Sequence, residues 1–208
     1  MLAQYTMFVI GNIVSGKSSA CRYLASLGGR YIDLDQLAKD LYVPGSQLVD
    51  DIAREFGIEV LSETEGIDRS ALARIAFATP ENTARLNAIV HPYVREALDR
   101  LLDPCCCMPR ITTYPFTVVE VSVPAAVEDL FSMADDVVAI SVPRDLRRKR
   151  ALGRGMSLQD FERRADSQPT DDEISRMASV VIDNSGSTVD LERKLRELLV
   201  SRGVLDET

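Results

Sequence analysis

Short unbroken apolar runs alternate along the chain with longer stretches whose apolar positions recur every three or four residues. The runs "YTMFVI" before Gly11, "RYID" ending at Asp33, "FTVVEVSV" near 116–123, "DVVAISV" near 136–142 and "SVVIDNSG" ending at Gly186 predict five strands. Helical spacing runs from Lys17 to Leu27, stopping at Gly28-Gly29, and again over 45–56, 68–78 and 80–102. Pro92 inside the last stretch predicts a helix start or a kink. Strands that are apolar throughout, separated by helices, indicate an α/β fold with a five-stranded parallel sheet covered by helices on both faces. The nearly all-helical stretch 36–111 reads as an inserted subdomain. The charged stretch 144–177 is helical in period but interrupted at Gly153, Gly155 and Pro169, so 150–177 reads either as a mobile lid or as solvated helix faces. The expected layout is a single domain: core 1–35, 112–149 and 178–208, helical insert 36–111 and lid 150–177.

Composition narrows the function. At 208 residues and 46 % hydrophobic, the chain can bury a core of its own. No apolar run approaches the roughly 20 residues of a membrane span, which predicts no membrane partner. The net charge of −8, from 24 basic and 32 acidic residues, disfavours a nucleic-acid surface, whereas a few focused donors can still hold a small phosphorylated ligand. Cys21 and the triplet Cys105–Cys107 have no metal-ligand spacing. The triplet lies between Pro104 and Pro109 and reads as a loop, and a reduced, cytoplasmic setting is expected. Oligomeric state has no signature here.

The chemistry concentrates at "GNIVSGKS", Gly11 to Ser18, which follows a strand and opens a helix as a Walker A loop must. In such a loop Gly11, Asn12, Ile13, Val14, Ser15, Gly16, Lys17, Ser18 and Ser19 cradle the phosphates of ATP with backbone N–H groups, Lys17 reaches the β/γ oxygens and the Ser18 hydroxyl ligates Mg²⁺. Asp33 and Asp35 follow the second strand, at the sheet edge where α/β folds bind ligands. Asp33 suits a cap for a helix starting near Gln36, and Asp35 suits a base for an attacking hydroxyl. Arg150, Arg154 and Arg164 carry planar forks suited to phosphoryl oxygens, as expected of a closing lid. His91, the lone histidine, reads first as a structural hydrogen-bonding group.

With these residues in place, the chain resembles the dephospho-coenzyme A kinase family, which has a P-loop kinase fold, along nearly its whole length. The likeness runs through "LGGRYIDLDQLAKDLYVPG" (27–45), "FG" (56–57), "IDRSALARIAF" (67–77), "LNAIVHPYVREAL" (86–98), "RALGRGMS" (150–157), "RRADSQ" (163–168) and "ASVVIDNSGS" (178–187). It implies transfer of the ATP γ-phosphoryl group to the ribose 3′-hydroxyl of dephospho-coenzyme A, the last step of coenzyme A synthesis, with Asp35 as base. It further implies that Arg69, His91 and Arg95 hold the acceptor, that Arg150, Arg154, Arg164 and Gln168 act in the lid, and that Asn184 and Gly186 lie near the adenine. The competing readings are a nucleoside monophosphate kinase type of enzyme and a nucleotide-binding regulator without catalysis. Two departures from the family pattern stand out. Asn12 and Val14 occupy customary glycine positions, and Val14 is strained if its φ is positive, whereas Asn12 tolerates left-handed geometry better. "PAAVE" at Pro124–Glu128 replaces large apolar residues by Ala125 and Ala126, which predicts thinner packing or a reshaped acceptor pocket.

Overall fold

A computed structural model of the chain describes residues 5–62, 64, 66–102 and 114–206, and the Cys105–Cys107 segment lies outside them. The strands are β1 (Tyr5–Ile10), β2 (Arg30–Asp33), β3 (Leu61–Ser62), β4 (Gly66–Ile67), β5 (Phe116–Glu120), β6 (Asp136–Ser141) and β7 (Val180–Asp183). The α-helices are α1 (Lys17–Ser26), α2 (Leu34–Asp40), α3 (Gln47–Phe56), α4 (Arg69–Ala76), α5 (Pro80–Leu102), α6 (Arg144–Gly153), α7 (Leu158–Asp166), α8 (Asp171–Met177) and α9 (Thr188–Ser201). They divide into two compact units, one of residues 1–33 with 109–208 and one of residues 34–108.

The first unit contains a five-stranded sheet in the order β2-β5-β1-β6-β7, with every neighbouring pair parallel. The continuous apolar character of the strands follows from this. Met7, Val9, Val118, Val138 and Ile140 join Cys21 and Leu24 of α1 and Leu191, Leu195 and Leu199 of α9 in one buried cluster. Phe8, on the other face of β1, meets Phe131 edge to face at 6.0 Å. Each such fully buried side chain contributes about 1.5–3 kcal/mol relative to exposure. β5 stops at Glu120 instead of running on to 123, because Pro124 opens a short 3₁₀ turn. In that turn Ala125 is exposed and Ala126 half-buried, while Val127 and Leu130 are buried, so the two alanines carry little of the packing.

The breaks in the charged stretch fall where glycine and proline predict them, between α6, α7 and α8. Ser157 caps α7, and Thr170 and Glu173 form a capping box on α8. These helices are not wholly solvated: Ala151, Phe161 and Ile174 are buried, and so is Arg147.

The second unit packs α5 against α2, α3 and α4. Leu86, Val90, Val94 and Leu98 are buried at four-residue intervals on α5. That stripe continues on both sides of Pro92, and the helix runs through it, so Pro92 does not start a helix. One further expectation is corrected here. α2 begins at Leu34, two residues early, so Asp33 ends β2 and Asp35 lies in the first turn of the helix. Besides its helices the stretch carries a small antiparallel ribbon, β3 and β4, of two residues each. Among the described residues no helix is long and apolar enough to cross a membrane.

Candidate active site

The phosphate loop leaves the buried end of β1 at Gly11, whose φ is +147°. A Cβ there would lie 2.6 Å from the Ile140 carbonyl oxygen, so only glycine lets the loop start this close to β6. Gly16, at φ +103°, is the N-cap of α1 and makes no side-chain cap, leaving the first N–H groups of the helix open to an anion. A side chain at 16 would strike the Asn184 amide. Between the glycines, Val14 takes φ +60°, the single non-glycine residue with positive φ among those described. For a β-branched residue this costs about 1–3 kcal/mol. Asn12, by contrast, is not left-handed, which corrects the reason offered for its tolerance at that position.

Lys17 folds its ammonium back over the loop, donating to the Gly11 carbonyl at 2.7 Å. Other donors and acceptors come from late in the chain. The Ile13 N–H donates to Gln168 Oε1 at 2.7 Å, the Asn12 amide to Asp171 at 2.8 Å, and the Asn184 amide to the Ser15 carbonyl at 2.8 Å. Arg150 reaches the Asn184 carbonyl at 2.8 Å. Arg147, only 4 % exposed, donates to Asp171 at 2.8 Å and to the Val142 carbonyl at 3.0 Å. Two buried polar atoms of the loop, Asn12 Oδ1 and Ser15 Oγ, have no hydrogen-bond partner.

Beside the loop, Ser18 Oγ donates to Glu120 Oε1 at 2.6 Å, and Tyr31 Oη donates to the other carboxylate oxygen at 2.7 Å. Glu120 is 6 % exposed and pairs in register with Asp33 across β2 and β5. Burial and the neighbouring Glu120 carboxylate push the Tyr31 phenol well up, and the same two causes raise the thiol of Cys21 on α1. Glu120 is a candidate site residue that sequence reasoning passed over. Its signal is a lone charge closing the apolar run "FTVVE" at the carboxyl edge of the sheet. A serine hydroxyl and a carboxylate are hard oxygen donors of the kind Mg²⁺ takes, and Mg²⁺ needs few protein ligands. Among the described residues there is no cluster of three acidic, His or Cys groups for another type of metal centre.

The sequence profile of the dephospho-CoA kinase (CoaE) family matches residues 5–190. The chain belongs to the dephospho-CoA kinase family. It is 36 % identical to a dephospho-CoA kinase of Frankia casuarinae over 93 % of this chain and 82 % of that protein. Among solved structures it is similar to TT1252 from Thermus thermophilus, with a TM-score of 0.74, 29 % identity and coverage of 95 % of this chain and 97 % of the other. The dephospho-CoA kinase of Campylobacter jejuni shares the fold, with a TM-score of 0.63 at 24 % identity and coverage of 96 % and 98 %. The expected fold, a P-loop kinase sheet flanked by helices, is the one observed.

Within this member of the dephospho-CoA kinase family, the residues singled out from sequence fall into separate groups. Hydrogen bonds bring Asn12, Ile13, Ser15, Arg150, Gln168 and Asn184 together around the loop. Gly186 follows β7, two residues beyond Asn184, and approaches Asp190. Ser19 is half-buried on the first turn of α1. Arg154 is exposed at the C-cap of α6, and Arg164 lies on α7, where it pairs with Asp160 at 3.1 Å. Asp35, Arg69, His91 and Arg95 all belong to the second unit. There His91 and Arg95 stand one turn apart on α5, Asp35 is exposed on α2, and Arg69 opens α4 under its Asp68 cap.

Proposed function

We propose that this protein transfers the γ-phosphoryl group of ATP to the ribose 3′-hydroxyl of dephospho-coenzyme A. The observation that carries the reading is an open helix N-terminus behind a Walker A loop, within a chain that matches one kinase family over residues 5–190. The open N–H groups of α1 and the Lys17 ammonium would bind the β- and γ-phosphates and offset the charge that spreads over them during transfer. Lys17, which meets the Gly11 carbonyl at 2.7 Å, would turn from the loop backbone to the phosphates. Ser18 and Glu120 would hold Mg²⁺, which when bound neutralises phosphate charge.

Asp35 is the proposed base that takes the proton of the acceptor hydroxyl, and Arg69, His91 and Arg95 supply donors for the acceptor's own phosphates. Arg150, Arg154 and Arg164 are the proposed lid cations. Closure would exclude water and so protect ATP from hydrolysis.

The test is to incubate the protein with Mg-ATP and dephospho-coenzyme A in one series and a panel of nucleoside monophosphates in another. Phosphorylation of dephospho-coenzyme A, lost in Asp35→Asn with ATP binding retained, is expected. Turnover of a monophosphate alone would sink the proposal.

A further inference from the structure

We infer that the phosphate loop is held in its binding shape from outside, and that Asn12, Gln168 and Asp171 are positioning residues whose task is to keep Val14 left-handed. The inference rests on the nucleotide-binding reading of the loop. Its starting point is Val14, a β-branched residue at φ +60° in a segment bounded by glycines that need no such support. A residue in that region persists only where its surroundings over-determine it.

The surroundings here are specific. Immediately before Val14, the Ile13 N–H is tied to Gln168 Oε1 at 2.7 Å. Immediately after it, the Ser15 carbonyl accepts from the Asn184 amide at 2.8 Å, and the Ser15 N–H donates to the Asn12 carbonyl at 3.1 Å. One residue further back, the Asn12 side chain donates to Asp171 Oδ1 at 2.8 Å. That same oxygen accepts from Arg147 at 2.8 Å, and Arg147 is in turn bonded to the Val142 carbonyl at 3.0 Å, just past the end of β6. The clamp therefore runs from the loop through a charge-assisted pair, buried on its Arg147 side only, to the sheet. Asn12 serves it with a side chain that a glycine would lack. Since Asn12 is not itself left-handed, its side-chain amide is what the loop uses.

Neither Gln168 nor Asp171 belongs to the Walker sequence, and the inferred role for both is to orient the loop that meets the phosphates. Two consequences follow. Cutting the clamp should weaken nucleotide binding, and glycine at 14 should remove most of the need for the clamp, because glycine takes φ +60° without strain.

The experiment titrates Mg²⁺ and the fluorescent analogue mant-ADP against the intact protein and Gln168→Ala, Asn12→Ala and Asp171→Asn, each made with Val14 and with Val14→Gly. In parallel, amide hydrogen exchange of residues 11–16 is followed without nucleotide. With Val14 present each cut should weaken binding roughly five- to tenfold, the scale of one hydrogen bond. In the Val14→Gly background the same cuts should cost about twofold or less, a non-additivity that general destabilisation does not produce. Exchange at Val14 and Ser15 should rise in the cut proteins. Asp171→Asn strands the buried Arg147, so Gln168→Ala, which leaves that pair intact, decides the matter if the former does not fold. Equal losses in both backgrounds, or exchange that does not change on cutting, would overturn the clamp. If exchange rises but even the parent chain ignores mant-ADP, the clamp stands and the nucleotide reading fails.

Discussion

The two ends of the parallel sheet differ in how completely they satisfy their buried polar groups. At the amino end, Asp136 opens β6 with both carboxylate oxygens in use: Tyr5 at 2.7 Å and Arg202 Nε at 2.6 Å on one, Ser179 at 2.7 Å and Arg202 Nη2 at 3.1 Å on the other. The Arg202 guanidinium holds this carboxyl down at about 2, helped by the Ser179 and Tyr5 hydroxyls. At the carboxyl end, the phosphate loop leaves Asn12 Oδ1 and Ser15 Oγ buried without partners, carries a strained Val14 and opens onto an uncapped helix. A polar cluster that serves stability is closed upon itself. One that serves a ligand is left incomplete, and its neighbours supply the rigidity its own residues lack.

The sharpest challenge to this contrast is Lys17→Ala. It should lower phosphoryl transfer roughly a thousandfold, the scale of losing a preorganised charge donor, while the melting temperature stays put. A large fall in Tm would assign Lys17 to the fold and erase the distinction. Asp136→Asn should do the reverse. The folded-state carboxyl near 2 lies below an unfolded value near 4, so the lost stabilisation is about 2 kcal/mol, or about 4–8 °C in Tm for a chain of this size, with kcat per folded molecule unchanged.

The same residue fixes a pH signature. A depressed carboxyl stabilises fully above its unfolded value, so this contribution is complete above about pH 4 and disappears as pH falls to about 2. Chemical denaturation at several pH values should show that step in the parent chain and not in Asp136→Asn. The smallest expected effect is at Glu120→Gln: about a tenfold rise in the Mg²⁺ concentration needed for half-maximal activity, with little change at saturating Mg²⁺. Unchanged Mg²⁺ dependence would move Glu120 from the ligand end of the comparison to the structural one.

Much of this architecture is legible in the chain itself. The five strand runs and the breaks at Gly153, Gly155 and Pro169 act locally, through side-chain period and backbone freedom, and local signals survive in a linear reading. The β3–β4 ribbon is two residues wide and has no period to detect. The continuity of α5 through Pro92 is won by a buried stripe extending three turns, where tertiary packing outweighs one lost hydrogen bond. At the site, Lys17 and Ser18 are legible because the Walker spacing encodes their geometry. The contacts of Gln168, Asp171 and Arg147 are not, because each depends on a partner the sequence does not place beside it.

That distance has a temporal side. The bonds from Ile13 to Gln168, Asn12 to Asp171 and Asn184 to Ser15 close intervals of 155, 159 and 169 positions. During synthesis the Walker segment emerges well before these partners, so its final shape waits for them. A nascent protein stalled before Gln168 would display every residue of the motif without the bonds that finish it.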